Sequence, residues 1–99
     1  MSSLTILLPT ANRPKKLKRN LLHYKEFLKK NINLYVLDGS YKDIKKEINI
    51  ELPRNFIFKR YDPSLGPLQR IKNFIKEDGI KTKYLCLAND EDIIISNYL

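Results

Sequence analysis

Tyr84-Leu85-Cys86-Leu87-Ala88 runs directly into Asn89-Asp90-Glu91-Asp92. A short apolar run with polar bounds reads as a buried strand. Three acids at its exit repel one another unless a cation or ligand sits among them. The same grammar recurs upstream. Leu4-Thr5-Ile6-Leu7-Leu8 is a short strand closed by Pro9 and Thr10, and Ile32 to Leu37 is a β-rich run ending at Asp38-Gly39-Ser40. Asn55 to Lys59 is a third strand and Lys83 to Ala88 the fourth.

Helical patterns fill the intervals. Asn12 can cap a helix with Pro14 in its first turn, and Leu17, Leu21, Tyr24 and Leu28 follow at helical spacing. The spacing predicts an amphipathic helix from Pro14 to Lys30. Tyr41 to Ile48 predicts a short helix. Pro67 begins a further one, with Leu68, Ile71 and Ile75 on one face and Gly79 just past its end. Ile93-Ile94-Ile95 extends beyond the acids as a short strand or turn. Strand and helix thus alternate, which predicts an α/β fold: a mostly parallel four-stranded sheet with helices on both faces. Residues 1–99 form one domain in this reading. Placing strand one between strands two and four gives the order 3-2-1-4, with a crevice at the carboxyl ends where the winding reverses.

The chain carries 19 basic and 11 acidic residues, a net charge of +8. This points to an anionic partner (nucleotide phosphates, nucleic acid or an anionic membrane surface), although a lysine-rich composition alone gives the same figure. No apolar run reaches the ~20 residues that span a bilayer, and Met1-Ser2-Ser3-Leu4 does not open like a secretory signal. The one cysteine, Cys86, lies in an apolar strand and reads as a core thiol. Together these predict a cytoplasmic protein, or one peripheral to a membrane.

In an extended segment, residues two apart share a side, so Asp90 and Asp92 can aim at one cation while Glu91 points away. Mg²⁺ and Mn²⁺ take carboxylate oxygens and commonly share their shell with substrate phosphates. The alternative is a solvated acidic loop that caps a neighbouring helix. Asp38 can accept hydrogen bonds from a base imide or a ribose hydroxyl, or else form an Asx turn with Gly39. Thr10, Asn12 and Arg13 occupy the first strand-to-helix loop, where backbone amides and a guanidinium can hold an anion; helix capping explains them equally. Lys72 and Asn73 precede strand four and either reach the crevice or face water. His23 is a surface or packing residue. No Gly-x-Gly-x-x-Gly and no Gly-Lys-Ser/Thr loop is present, which leaves dinucleotide and P-loop fingerprints unsupported. Tyr35, Phe56 and Phe58 fall inside strands, so nucleic-acid stacking is not their simplest role.

Three blocks, Thr5 to Pro14, Tyr35 to Ser40 and Lys81 to Asp92, together resemble the amino-terminal, nucleotide-sugar-binding half of GT-A glycosyltransferases of the family 2 type. The resemblance covers nearly the whole chain. It implies a Rossmann-like three-layer α/β/α domain, truncated relative to a complete GT-A enzyme, that binds a nucleotide-diphosphate sugar, a UDP-sugar being favoured. Asp38 then matches the acid that contacts the base. Thr10 and Ala11 border the base, with Asn12 and Arg13 beside them. Asp90 matches the acid near the ribose, and Asp92 the acid that holds Mn²⁺ or Mg²⁺ across the diphosphate. Lys72-Asn73 resembles the basic-Asn pair before that strand. Two departures stand out: Ala11 replaces a frequent aromatic, and Gly39 follows Asp38 where a second aspartate is common. The resemblance also implies that an acceptor-binding half and a catalytic base lie outside these 99 residues. The second reading is a non-catalytic binding module of the same fold, with the basic helix docking on a membrane or partner. Self-association through an exposed sheet edge is a further expectation.

Overall fold

The computed structural model describes residues 4–28 and 31–88. Four strands, β1 (Leu4–Thr10), β2 (Ile32–Asp38), β3 (Phe56–Arg60) and β4 (Tyr84–Leu87), alternate with three helices, α1 (Pro14–Phe27), α2 (Ile44–Ile48) and α3 (Pro67–Glu77). The sheet order is β3-β2-β1-β4 and every pairing is parallel. The alternating α/β pattern and the 3-2-1-4 order expected from the sequence are both present. None of the described helices is long and apolar enough to cross a membrane.

Alternation along the strands divides the core. Ile6 and Leu8 of β1 with Ile32, Leu34 and Val36 of β2 point to the face covered by α1 and α2, where they meet Leu17, Leu21, Tyr24, Ile44 and Ile48. Leu7 and Leu37 point the other way and meet Phe74 of α3. The first cluster is far larger, so α1 and α2 hold most of the fold's buried apolar surface. Cys86 is partly buried against that larger cluster, which pushes its thiol pKa up, but it is not a fully buried core thiol. Tyr84, Leu85 and Leu87 beside it are exposed, so β4 is not the buried strand the sequence suggests.

Five local expectations are corrected. Strand β1 continues through Pro9 to Thr10. Leu7 O accepts from Ala88 N on the β4 side, and Thr10 O accepts from Gly39 N on the β2 side. The imide nitrogen of Pro9 therefore faces the β4 side, past Leu87, the last residue paired there, and costs no described ladder bond. Helix α1 stops at Phe27 rather than Lys30, because Leu28 turns into extended geometry (φ −78°, ψ 138°) and packs against the core. Helix α2 starts at Ile44 rather than Tyr41, because Asp43 caps it by accepting from Lys45 N. Asn12 does not cap α1. It adopts a left-handed conformation (φ 57°) and Arg13 takes the cap position. On α3 the buried residues are Arg70 and Phe74, while Leu68 and Ile75 are 63% and 43% exposed. Of the stripe expected on one face, Ile71 packs against the Leu7, Leu37 and Phe74 cluster, while Leu68 and Ile75 stay exposed, since no second described helix flanks α3 on that side of the sheet.

Candidate functional site

The carboxyl ends of the strands open on a cleft of about 330 Å³. Pro9 and Thr10 at the end of β1, residues 11–13 after it, Gly39 and Tyr41 after β2, Pro63 and Leu65 after β3, and Pro67 and Arg70 at the start of α3 line it. This is the edge at which open α/β sheets take ligands, beside the reversal between β1 and β4. Two helices begin at its rim. Neither α1 nor α3 has a side-chain cap or an acid in its first turn, so both present positively polarised ends. Arg13 and Arg70 add two guanidinium groups, and no acidic side chain is among the described residues lining the cleft.

Arg70 is the residue that the sequence reading missed. It is 3% exposed, and its Nη1 donates to Leu65 O at 3.4 Å. Its guanidinium lies so close to Gly39 that a Cβ there would fall on Nη1 and 2.9 Å from Cζ. The glycine after β2 therefore makes room for a buried cation at the cleft wall. The available signal was positional. Arg70 sits one turn inside a helix that begins with Pro67, and side chains lean back toward the helix start.

The two loops that build the cleft are tied together. Asn12 N donates to Ser40 Oγ at 2.7 Å, and Tyr41 N donates to Asn12 Oδ1 at 3.0 Å. The left-handed backbone of Asn12 aims both groups at the β2–α2 loop, and asparagine tolerates that conformation better than most residues. Asn12 thus positions the loop that carries Thr10, Ala11 and Arg13.

Asp38 is 1% exposed and its carboxylate serves the fold. Oδ1 accepts from Ser40 N at 2.9 Å, the Asx turn that was one reading of Asp38-Gly39-Ser40. Oδ2 lies 3.7 Å from Arg60 Nε, and Arg60 Nη2 also donates to Ser40 O at 3.1 Å. Asp38 and Arg60 are register partners on β2 and β3, which explains their approach.

Of the expected site residues, Thr10, Ala11, Asn12 and Arg13 converge on the cleft, and Asp38 lies directly behind its Gly39 wall. Lys72 and Asn73 are not among the lining residues. Lys72 is exposed, and Asn73 Oδ1 accepts from Gln69 Nε2 one turn earlier. Asp90 and Asp92, and the segment Ile93-Ile94-Ile95, lie outside the described residues. Among the described residues no group of three or more His, Cys, Asp or Glu side chains is placed to hold a metal ion.

No protein-family model and no curated protein matches the sequence. The functional reading therefore rests on the cleft itself and on the sequence blocks that surround it.

Proposed function

We propose that the cleft binds the nucleoside diphosphate portion of a nucleotide-diphosphate sugar, and that the chain is a donor-binding domain of the GT-A glycosyltransferase type. The observation that carries this reading is Arg70, a buried guanidinium seated on Gly39 in a cleft flanked by the starts of two helices. A diphosphate supplies the charge such a wall favours, and arginine's planar fork suits phosphate oxygens. Thr10 and Ala11 supply a small, partly apolar shelf where a base can lie. The cleft's volume falls at the small end of the range for ligand pockets.

In this reading Asp38 acts on the ligand through its turn, holding Gly39 and Ser40 in place. On the same reading Mn²⁺ or Mg²⁺ would be held by Asp90 and Asp92. A divalent ion there would supply Lewis-acid stabilisation of a leaving diphosphate. The chain's own contribution is to bind and orient the donor through Arg13, Arg70 and the first-turn amides.

Calorimetric titration of the chain with UDP and UDP-sugars, with Mn²⁺ and then with EDTA, tests the reading. Metal-dependent binding that Asp92→Ala abolishes supports the whole proposal. Binding that survives both EDTA and Asp92→Ala retains the anion cleft and removes the metal. No binding by the folded chain in either condition refutes the donor-site reading.

A further inference from the structure

The positive charge is concentrated on one face. Residues 13–28 and 41–48, which carry α1 and α2, hold nine cations against three acids, Glu26, Asp43 and Glu47. One of those acids, Asp43, is occupied as the α2 cap. Residues 66–79, which carry α3 on the opposite face, hold three cations and two acids. Most of the chain's excess of +8 therefore faces outward from a single layer of the fold.

The arrangement on α1 is ordered. Leu17, Leu21 and Tyr24 are fully buried against the sheet, while Lys15, Lys18, Leu22 and Lys25, spaced three, four and three apart, form one exposed ridge along a flank of the helix. The ridge runs along a helix about 21 Å long at ~1.5 Å per residue. Lys46 on α2 and Lys42 just before its cap are also exposed, and α2 covers the same sheet face as α1. Like charges at i, i+3 and i, i+4, such as Lys15 with Lys18 and Arg19, repel one another, and the helix N-terminus adds to that repulsion. An extended anionic surface opposite the ridge relieves both penalties. A small anion in the cleft reaches only Arg13 at the end of the helix.

We propose that the α1–α2 face docks on an anionic phospholipid bilayer, with the lysine ridge at the level of the headgroup phosphates and Leu22 entering the interface. Seven of the nine cations are lysines, compact point charges on flexible stems that suit a diffuse anionic surface better than bidentate phosphate recognition. Leu22, 44% exposed in the middle of the ridge, gives the face an apolar contact that a nucleic-acid backbone does not use. The proposal stands apart from the ligand of the cleft, because none of the ridge residues lines it.

Co-sedimentation of the full chain with phosphatidylcholine vesicles, with and without added phosphatidylglycerol, tests the proposal. Binding is expected only to the anionic vesicles and is lost at high salt. Each juxtamembrane lysine is worth about fivefold in partitioning, so Lys15→Gln, Lys18→Gln and Lys25→Gln together lower it by on the order of a hundredfold. Circular dichroism should be unchanged, since all three positions are exposed. Leu22→Ala should weaken vesicle binding severalfold and leave duplex-DNA retention untouched. Three results overturn the proposal: no dependence on anionic lipid, a triple variant that binds like the parent, or retention by duplex DNA equal to that by vesicles with Leu22→Ala silent in both. The last outcome reassigns the face to nucleic acid.

Discussion

Replacing Gly39 by alanine probes the cleft wall most directly. The backbone of Gly39 does not lie in the left-handed region, so alanine adopts it without strain. The obstacle is Arg70, whose Nη1 occupies the new methyl's position and whose Cζ and Cδ would lie 2.9 and 3.3 Å away. Those atoms belong to a long side chain that can rotate, so the guanidinium leaves its seat and the strand keeps its path. Arg70 then gives up its bond to Leu65 O and its burial. Overpacking costs ~1–3 kcal/mol in general, and a movable side-chain end places this substitution near the lower value, about 1 kcal/mol in urea unfolding. The effect on binding is larger. One hydrogen bond to a charged group is worth ~1.5–3 kcal/mol, so the affinity for UDP or pyrophosphate falls roughly ten- to hundredfold. Calorimetry on Gly39→Ala, Arg70→Ala and the double variant separates the causes. If Gly39 acts only by seating Arg70, alanine at position 39 costs nothing further once Arg70 is gone. Undiminished affinity in Gly39→Ala, or an equal loss in the Arg70→Ala background, refutes the reasoning.

Three further outcomes follow from the loops and the surface. Asp38→Asn retains an oxygen acceptor for Ser40 N, whereas Asp38→Ala leaves that buried amide without one; urea unfolding should separate the two by about 1–3 kcal/mol, the alanine being the weaker. Asn12→Gly keeps the left-handed backbone and loses only the acceptor for Tyr41 N, while Asn12→Ala adds a backbone cost of about 1–2 kcal/mol, so alanine should be the more damaging by that margin in thermal unfolding. Lys59 donates to Asp78, and that hydrogen bond, ahead of the opposing desolvation, raises its pKa above the ordinary lysine value. A lysine pKa raised on folding contributes stability that is full below the unfolded pKa and fades as pH rises through the folded one. Asp78→Asn should therefore flatten the alkaline decline of stability above about pH 10 while changing neutral-pH stability by less than ~1 kcal/mol, as expected of a surface pair.

Element type and order were legible because apolar runs and helical spacing depend on short windows of sequence. The strand runs at Leu4–Leu8 and Ile32–Leu37 and the stripe Leu17-Leu21-Tyr24 carry their periods openly, and each lies in the element expected. What failed depended on contacts across the fold. The α3 stripe Leu68-Ile71-Ile75 has correct helical spacing, yet burial is decided by which neighbours exist on that face. Leu85 and Leu87 of β4, on the same sheet face as Leu7, are likewise exposed. The role of Asn12 was misread for the same reason: its partners, Ser40 and Tyr41, are nearly thirty residues away.

The two charged groups nearest the cleft wall differ in how openly the sequence displays them. Sequence reading looks for chemistry in polar residues that interrupt an apolar run, because their cost to the fold asks for an explanation. Asp38 fits that description, and its carboxylate accepts from Ser40 N and lies 3.7 Å from Arg60 Nε. Arg70 does not interrupt anything. It sits on a helix between Gln69 and Ile71, where a basic residue reads as solvated surface. Two distant features turn it inward: a helix start fixed by Pro67 next to the strand ends, and a strand exit that ends in glycine. A cation near the first turn of a helix opposes the helix dipole and is tolerated where a ligand's negative charge offsets both. The pairing of a glycine after one strand with an arginine one turn into a later helix is therefore the feature on which the proposed anionic ligand of this cleft rests. It also explains why the glycine, chemically silent by itself, is expected to govern affinity.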